Sequence, residues 1–254
     1  MPQALDNTVA LVTGASSGIG AATARALAHE GAAVALVARR RERLETLANT
    51  IRTDGGVALA IDADITDAHP ARAAVAETVA ELGRLDIVIN NAGLMLLGPV
   101  ADAPDDEWRR MLDINVNGML HITRAALPHL TRAAADDPRR VADIVNISST
   151  AGRVARGGAA VYSLTKSGIN AFSESLRQEL QPQRVRVGVI EPGTVDTELG
   201  DHVRAELRSA VEQQTKDMEK LSPVDIADAV VYVVSRPRRV AVNELLVRAA
   251  DQTW

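Results

Sequence analysis

Short runs of consecutive apolar residues alternate with longer stretches whose apolar positions recur every three or four residues, almost from end to end of the chain. The short runs at 9–13, 33–38, 57–62, 85–90, 144–148 and 185–190 predict strands, and a seventh is expected at 245–248. They are apolar without alternation, as strands covered on both faces are. The longer stretches at 18–30, 41–54, 71–82, 105–134 and 159–180 predict helices. This rhythm builds a parallel sheet with helices on both faces, so an α/β, doubly wound, seven-stranded sheet is expected. No shift of composition divides residues 1–254, which predicts a single domain. Residues 133–140 read as a polar loop. The charged, helix-patterned segment at about 195–222 follows a strand end, and reads either as a cover over a site or as a plain surface helix pair.

Composition narrows the class. Hydrophobic residues make up 46% of the 254, enough for a large core, but only 2% are aromatic, so that core must be built from small aliphatic side chains. The net charge of −5, with no basic block, disfavours nucleic-acid binding. The chain has no cysteine, which excludes disulfides, thiolate metal sites and cysteine nucleophiles. The five histidines are dispersed without ligand spacing and read as structural or surface residues, so no metal is expected. No apolar run nears a membrane span and no secretory signal opens the chain, which makes a cytoplasmic enzyme the expectation.

Chemistry enters at the end of the first predicted strand. Gly14, Ser16, Ser17, Gly18, Ile19 and Gly20 form a turn that opens a helix, with spacing Gly-x-x-x-Gly-x-Gly. Glycines allow close approach to a pyrophosphate, and the helix start offers free N–H groups. After the second strand come Arg39, Arg40 and Arg41, with no carboxylate before Glu42. An acidic residue here would favour a ribose hydroxyl and NAD; guanidiniums suit a 2′-phosphate. NADP(H) is therefore predicted over NAD(H), with Arg40 or Arg41 open to being a solvated helix residue.

Tyr162 and Lys166 lie four apart, on one face of a predicted helix. An ammonium beside a phenol favours the phenolate and is expected to draw the tyrosine below its usual pKa of about 10. Such a tyrosine suits proton transfer during carbonyl–alcohol interconversion. Together with the glycine cradle, Asn90-Asn91-Ala92-Gly93 after the fourth strand, Ser149 after the fifth and Pro192-Gly193 after the sixth, the pair resembles the short-chain dehydrogenase/reductase family over about residues 7–250.

The resemblance implies a Rossmann-like fold and roles for matching positions. Asn115, in an Asn-x-x-Gly match, would anchor a relay water beside the lysine; Ser149 would hold the substrate oxygen; Tyr162 would be the acid/base; Lys166 would also bind the nicotinamide ribose. Asp64 and Ile65 would contact adenine. Asn91, Ala92 and Gly93, together with Pro192, Gly193, Thr194, Val195 and Thr197, would line the cofactor. The implied activity is NADP(H)-dependent interconversion of a small carbonyl and an alcohol, in a homodimer or homotetramer. The alternative is a non-catalytic NADP(H)-binding regulator on the same fold; the glycine spacing argues against a sugar-nucleotide epimerase or dehydratase, and the close Tyr162–Lys166 spacing against an enoyl reductase.

Within the family the segments 90–100, 123–130, 170–179 and 190–199 are similar to NADP-dependent reductases of the clavulanic-acid-dehydrogenase kind, which implies an aldehyde or ketone, possible carriers of a carboxylate included. Met95 reads as either pocket wall or core. Arg153 and Arg156, between Ser149 and Tyr162, read as either partners for an acidic substrate or solvated loop residues.

Overall fold

The computed structural model describes residues 3–136 and 139–253. Seven parallel strands form one sheet in the order β3-β2-β1-β4-β5-β6-β7. They are β1 Val9–Thr13, β2 Ala33–Ala38, β3 Ala58–Asp62, β4 Ile87–Asn90, β5 Ala142–Ile147, β6 Val185–Pro192 and β7 Glu244–Val247. The helices are α1 Gly18–His29, α2 Arg41–Thr53, α3 Ala68–Leu82, α4 Asp105–Leu112, α5 Met119–Ala135, α6 Ala160–Leu180, α7 Ala205–Gln214 and α8 Pro223–Val234. The single sheet matches the expected doubly wound fold.

Alternate residues of each strand serve opposite faces. Ala10 and Val12 pack with Leu27 of α1, Leu44 of α2 and Val230 of α8. Val9 and Leu11 face the other way, towards Val75 of α3, Ile122 of α5 and Leu180 of α6. The β1 residues on both faces are 0–3% exposed, which is why this strand shows no polar alternation. The chain moves outward from β1 through β2 to β3, then returns to place β4 on the other side of β1. A crevice opens where the order reverses, at the C-terminal ends of β1 and β4.

Three departures from the predicted elements have local causes. The helix expected over 105–134 is two helices joined by a π-helical segment, Asp113–Gly118. The helix expected from 71 begins at Ala68, because the Asp67 carboxylate accepts the His69 N–H at 2.9 Å. Helix α8 was not anticipated. Its run Val230-Val231-Tyr232-Val233-Val234 has a strand's composition, but a capping box between Ser222 and Asp225 starts a helix there, with Pro223 in its first turn.

The N-terminal ends of the central strands hold buried ion pairs. Asp86, just before β4, receives Arg84 bidentately at 2.7 and 2.8 Å and also the Val9 N–H at 2.9 Å. Asp143 of β5 receives Arg186 at 2.7 and 3.0 Å and Arg139 at 2.8 Å. Both carboxylates are fully enclosed. Among the described residues, no helix is long and apolar enough to cross a membrane.

Candidate active site

The opposite, C-terminal end of the sheet opens into a cleft of about 690 Å³. Gly14 stands at its floor with φ +66°, a conformation that suits glycine, and an added Cβ would lie 2.9 Å from Ala92 Cα. Helix α1 starts at the cleft, and its N-cap Ser17 makes no side-chain cap bond. The first-turn N–H groups therefore face the cleft without a side-chain acceptor, as an anion-binding helix start requires. Gly18, with φ +52°, abuts Thr197, whose Cγ2 would be 3.1 Å from an added Cβ.

Gly20 corrects one expectation. It is buried and off the cleft wall, behind the turn, where an added Cβ would strike the Gly14 carbonyl. It allows α1 to pack closely on the turn at Gly14 and on Asn91, and it does not line the cleft. Gly14, Ser16, Ser17, Gly18 and Ile19 do line it.

Beyond β2, Arg39 and Arg40 line the same end of the cleft. Arg40 donates through Nε to Ser16 Oγ at 3.0 Å and through Nη2 to Ser17 Oγ at 2.6 Å. Its Nη1 reaches Glu198 at 2.8 Å, and Arg43 Nη1 holds the other oxygen of that carboxylate at 2.7 Å. These two guanidiniums keep the Glu198 carboxyl down at about 2. Arg41 instead pairs with Glu45 one helical turn on, at 3.7 Å, so it is the solvated member of the arginine run. Asp64 and Ile65 follow β3 on the cleft wall. Burial would raise the Asp64 carboxyl, but hydrogen bonds from the Thr66 hydroxyl and N–H, together with the Arg39 charge, leave it below its usual value.

After β4, Thr13 Oγ1 accepts the N–H groups of Asn91 and Ala92 at 3.0 and 3.1 Å, and Asn91 Nδ2 donates to the Thr13 carbonyl at 2.9 Å. These bonds brace the crevice between β1 and β4. Asn91, Ala92 and Gly93 all line it.

The centre of the cleft gathers the predicted catalytic residues. Ser149 follows β5, and its Oγ accepts the Ala151 N–H at 3.1 Å. Tyr162 is 6% exposed and lies beside Ser149, whose side chain acts on its phenol. Lys166, one turn along α6, donates to the Ile147 carbonyl at 2.8 Å, and its Nζ lies 5.8 Å from the centre of the Tyr162 ring. Ser148, by contrast, turns its hydroxyl back to the Lys166 carbonyl at 3.2 Å. Asn115 comes from the π-helical segment and is 1% exposed. Its amide brackets Leu94, accepting the N–H at 2.7 Å and donating to the carbonyl at 2.9 Å, and also donates to Thr165 Oγ1 at 3.1 Å. It stands behind the wall: a methyl on Gly93 would lie 3.5 Å from Asn115 Oδ1 and 3.8 Å from Lys166 Nζ.

The expected depression of the Tyr162 pKa is corrected. Burial pushes the phenol above its usual value, with the Ser149 hydrogen bond acting the other way. The same burial lowers the Lys166 ammonium to about 8. Desolvation outweighs attraction because the ammonium is turned towards the Ile147 carbonyl and not onto the phenol oxygen.

Arg153 is also corrected. It leaves the cleft wall and pairs with Glu191 and Glu244, each at 2.5 Å. Glu191 is 1% exposed and needs that charge. Arg156 and Met95 do line the cleft. Pro192, Gly193, Thr194, Val195 and Thr197 continue the wall past β6. The 195–222 segment is tied at its ends by a bridge between Val195 and Leu221, and carries a 3-10 turn, Glu198–His202, before α7. Leu199, His202, Leu207 and Lys220 line the cleft, so it forms part of the wall. His202 was expected to be structural or superficial. Gln252 was not anticipated: its Oε1 accepts the Thr194 N–H at 2.9 Å and closes over Gly193. Glu198 and Arg43 escaped sequence reading as well. The first signal for them was a carboxylate one residue beyond Thr197, on a segment already suspected as a cover.

Comparison with known proteins identifies the family and the fold. Residues 8–208 match the short chain dehydrogenase family. An uncharacterized oxidoreductase of Staphylococcus aureus (strain USA300) is 36% identical over 244 residues, covering 96% of this chain and 98% of its own. A 3-ketoacyl-(acyl-carrier-protein) reductase from Brucella melitensis complexed with NADH superposes with TM-score 0.85 at 30% identity, covering 97% of this chain and 98% of that one. The closed form of a serine dehydrogenase complexed with NADP+ gives TM-score 0.86 at 33% identity, covering 97% of both. The chain belongs to the short-chain dehydrogenase/reductase family of oxidoreductases.

Proposed function

We propose that the protein is an NADP(H)-dependent oxidoreductase that interconverts a small carbonyl compound and its alcohol, with Tyr162 as the acid/base. The observation that carries this is the buried Tyr162 phenol, beside Ser149 and Lys166, in one cleft with an uncapped helix start and Arg40. The NADH- and NADP-bound relatives support a nicotinamide cofactor. Ser16, Ser17, Gly18, Ile19 and Arg40 would hold the phosphates, Asp64 and Ile65 the adenine, and Lys166, Pro192, Gly193, Thr194, Val195 and Thr197 the nicotinamide half. The bound cofactor supplies or accepts the hydride.

The chain's own residues manage the proton and the oxygen. Ser149 spends an oxygen lone pair on Ala151 and keeps its O–H for the substrate oxygen or for Tyr162. It thereby stabilises negative charge developing on that oxygen. Because burial keeps the Tyr162 phenol protonated through neutral pH, it stands ready to donate to a carbonyl oxygen. Reduction therefore needs no prior ionisation of Tyr162, whereas alcohol oxidation needs the phenolate and should accelerate as pH rises. Lys166, with its Nζ 5.8 Å from the Tyr162 ring centre, would favour the phenolate when it carries its charge. Asn115 positions the Leu94 peptide behind this group.

Apolar Met95, Val154 and Leu207 line the same cleft as Arg156, which suits a small carbonyl compound bearing a carboxylate. The likeness to clavulanic-acid-dehydrogenase-type reductases points the same way but is carried by core and cofactor segments. Half-exposed Leu112 and well-exposed Leu164, on α4 and α6, suit a homodimer or homotetramer.

Tyr162→Phe tests the proposal. It should lower NADPH-dependent turnover of aldehydes and ketones about a thousandfold or more, while NADPH affinity, read by fluorescence, stays within about twofold. Substantial residual turnover removes Tyr162 from its role. Arg156→Ala should weaken acidic substrates against neutral analogues; unchanged selectivity rejects the carboxylate.

A further inference from the structure

The clamp on Glu198 carries a consequence for cofactor choice. Each oxygen of its carboxylate takes one guanidinium, Arg40 at 2.8 Å and Arg43 at 2.7 Å. Arg40 is already steered by the hydroxyls of Ser16 and Ser17 at 3.0 and 2.6 Å. Two guanidiniums converging on one anion, one of them held in place by the Ser16 and Ser17 hydroxyls, beside the helix start and at the end of β2, form a phosphate-binding donor set. Neighbouring arginines do not dilute it, since Arg39 acts on Asp64 and Arg41 pairs with Glu45.

The anion in this set belongs to the chain itself. Glu198 opens the 3-10 turn Glu198–His202, directly after Thr197, which abuts Gly18. A tethered carboxylate competes at a high effective concentration, set by its short connection to the cleft wall. We infer that Glu198 is an internal competitor for the 2′-phosphate of the dinucleotide, and that its displacement sets how strongly the protein prefers the phosphorylated cofactor. This rests on the NADP(H) reading above. A ribose with a free 2′-hydroxyl leaves the clamp closed; a 2′-phosphate takes over both guanidiniums and releases the turn.

Calorimetric titration with 2′,5′-ADP and 5′-AMP isolates this end of the cleft from turnover. Glu198 is half exposed, so Glu198→Gln should fold as the parent does. The expected result is an affinity for 2′,5′-ADP raised about three- to tenfold, the range for releasing two exposed ion pairs, with 5′-AMP unchanged. If the parent prefers 2′,5′-ADP but Glu198→Gln binds it no better, the competitor is overturned and the NADP(H) reading stands. If Glu198→Gln loses 5′-AMP affinity, Glu198 serves the ribose hydroxyl and the competitor is again overturned. If neither protein distinguishes the two probes, the NADP(H) reading itself fails and the inference falls with it.

Discussion

The two ends of the sheet bear the same pairing, a carboxylate held by two arginines, in opposite surroundings. At the N-terminal end the Asp143 side chain is 2% exposed, with Arg186 at 10% and Arg139 at 13%. At the C-terminal end Glu198 is 44% exposed, with Arg40 at 45% and Arg43 at 50%. The contact distances are nearly equal, so geometry does not separate the two; access to water does. In the first cluster, removing one partner strands charge in a low-dielectric setting. In the second, solvent screens the pair and leaves it exchangeable. One end of the sheet can serve as a fixed joint because the other end is where charges remain free to change partners.

The largest test of this contrast is Asp143→Ala. It leaves Arg186 and Arg139 without their carboxylate and should cost about 3–5 kcal/mol in urea denaturation. A loss below about 1 kcal/mol would erase the distinction between the two ends.

Lys166, buried but on the cleft side, tests whether desolvation also rules there. Its ammonium falls from 10.5 to about 8 on folding. Between those values the unfolded chain holds a proton that the folded protein has released, so stability should rise with pH across that window. Relative to Lys166→Met, the parent should gain on the order of 2–3 kcal/mol between pH 8 and 10. A stability difference that stays flat with pH would mean the ammonium is hydrated.

The smallest effect is expected from Glu198→Ala, which should change folding stability by no more than about 1 kcal/mol. A larger loss in thermal melts would make the C-terminal cluster structural too.

Most of the frame was legible because it rests on local signals. Buried strands read as unbroken apolar runs, and the turn at Gly14 needs glycine wherever a strand feeds a helix so tightly. Elements fixed by more distant or finer effects were not. Arg153 lies near Ser149 and Tyr162 in sequence, yet its carboxylates are 38 and 91 residues away. Arg40 and Glu198 are separated by 158 residues. Helix α8 was hidden by its β-branched composition, although the Ser222–Asp225 capping box was there to be read. The direction of the Tyr162 shift was misjudged because sequence spacing reports the lysine's proximity and not the depth at which both residues lie.

The widened turn at Asp113–Gly118 was not legible from periodicity, because the apolar stripes before and after it each keep their own helical spacing. Yet the surplus residue of that turn aims Asn115. Deleting one position upstream would let the backbone relax into regular winding, with every bond of the helix repaired. It would also swing the amide by about 100° and abandon the Leu94 peptide. A locally better helix would then be a worse support, because the protein keeps the wall of its cleft upright by leaving one helix out of step.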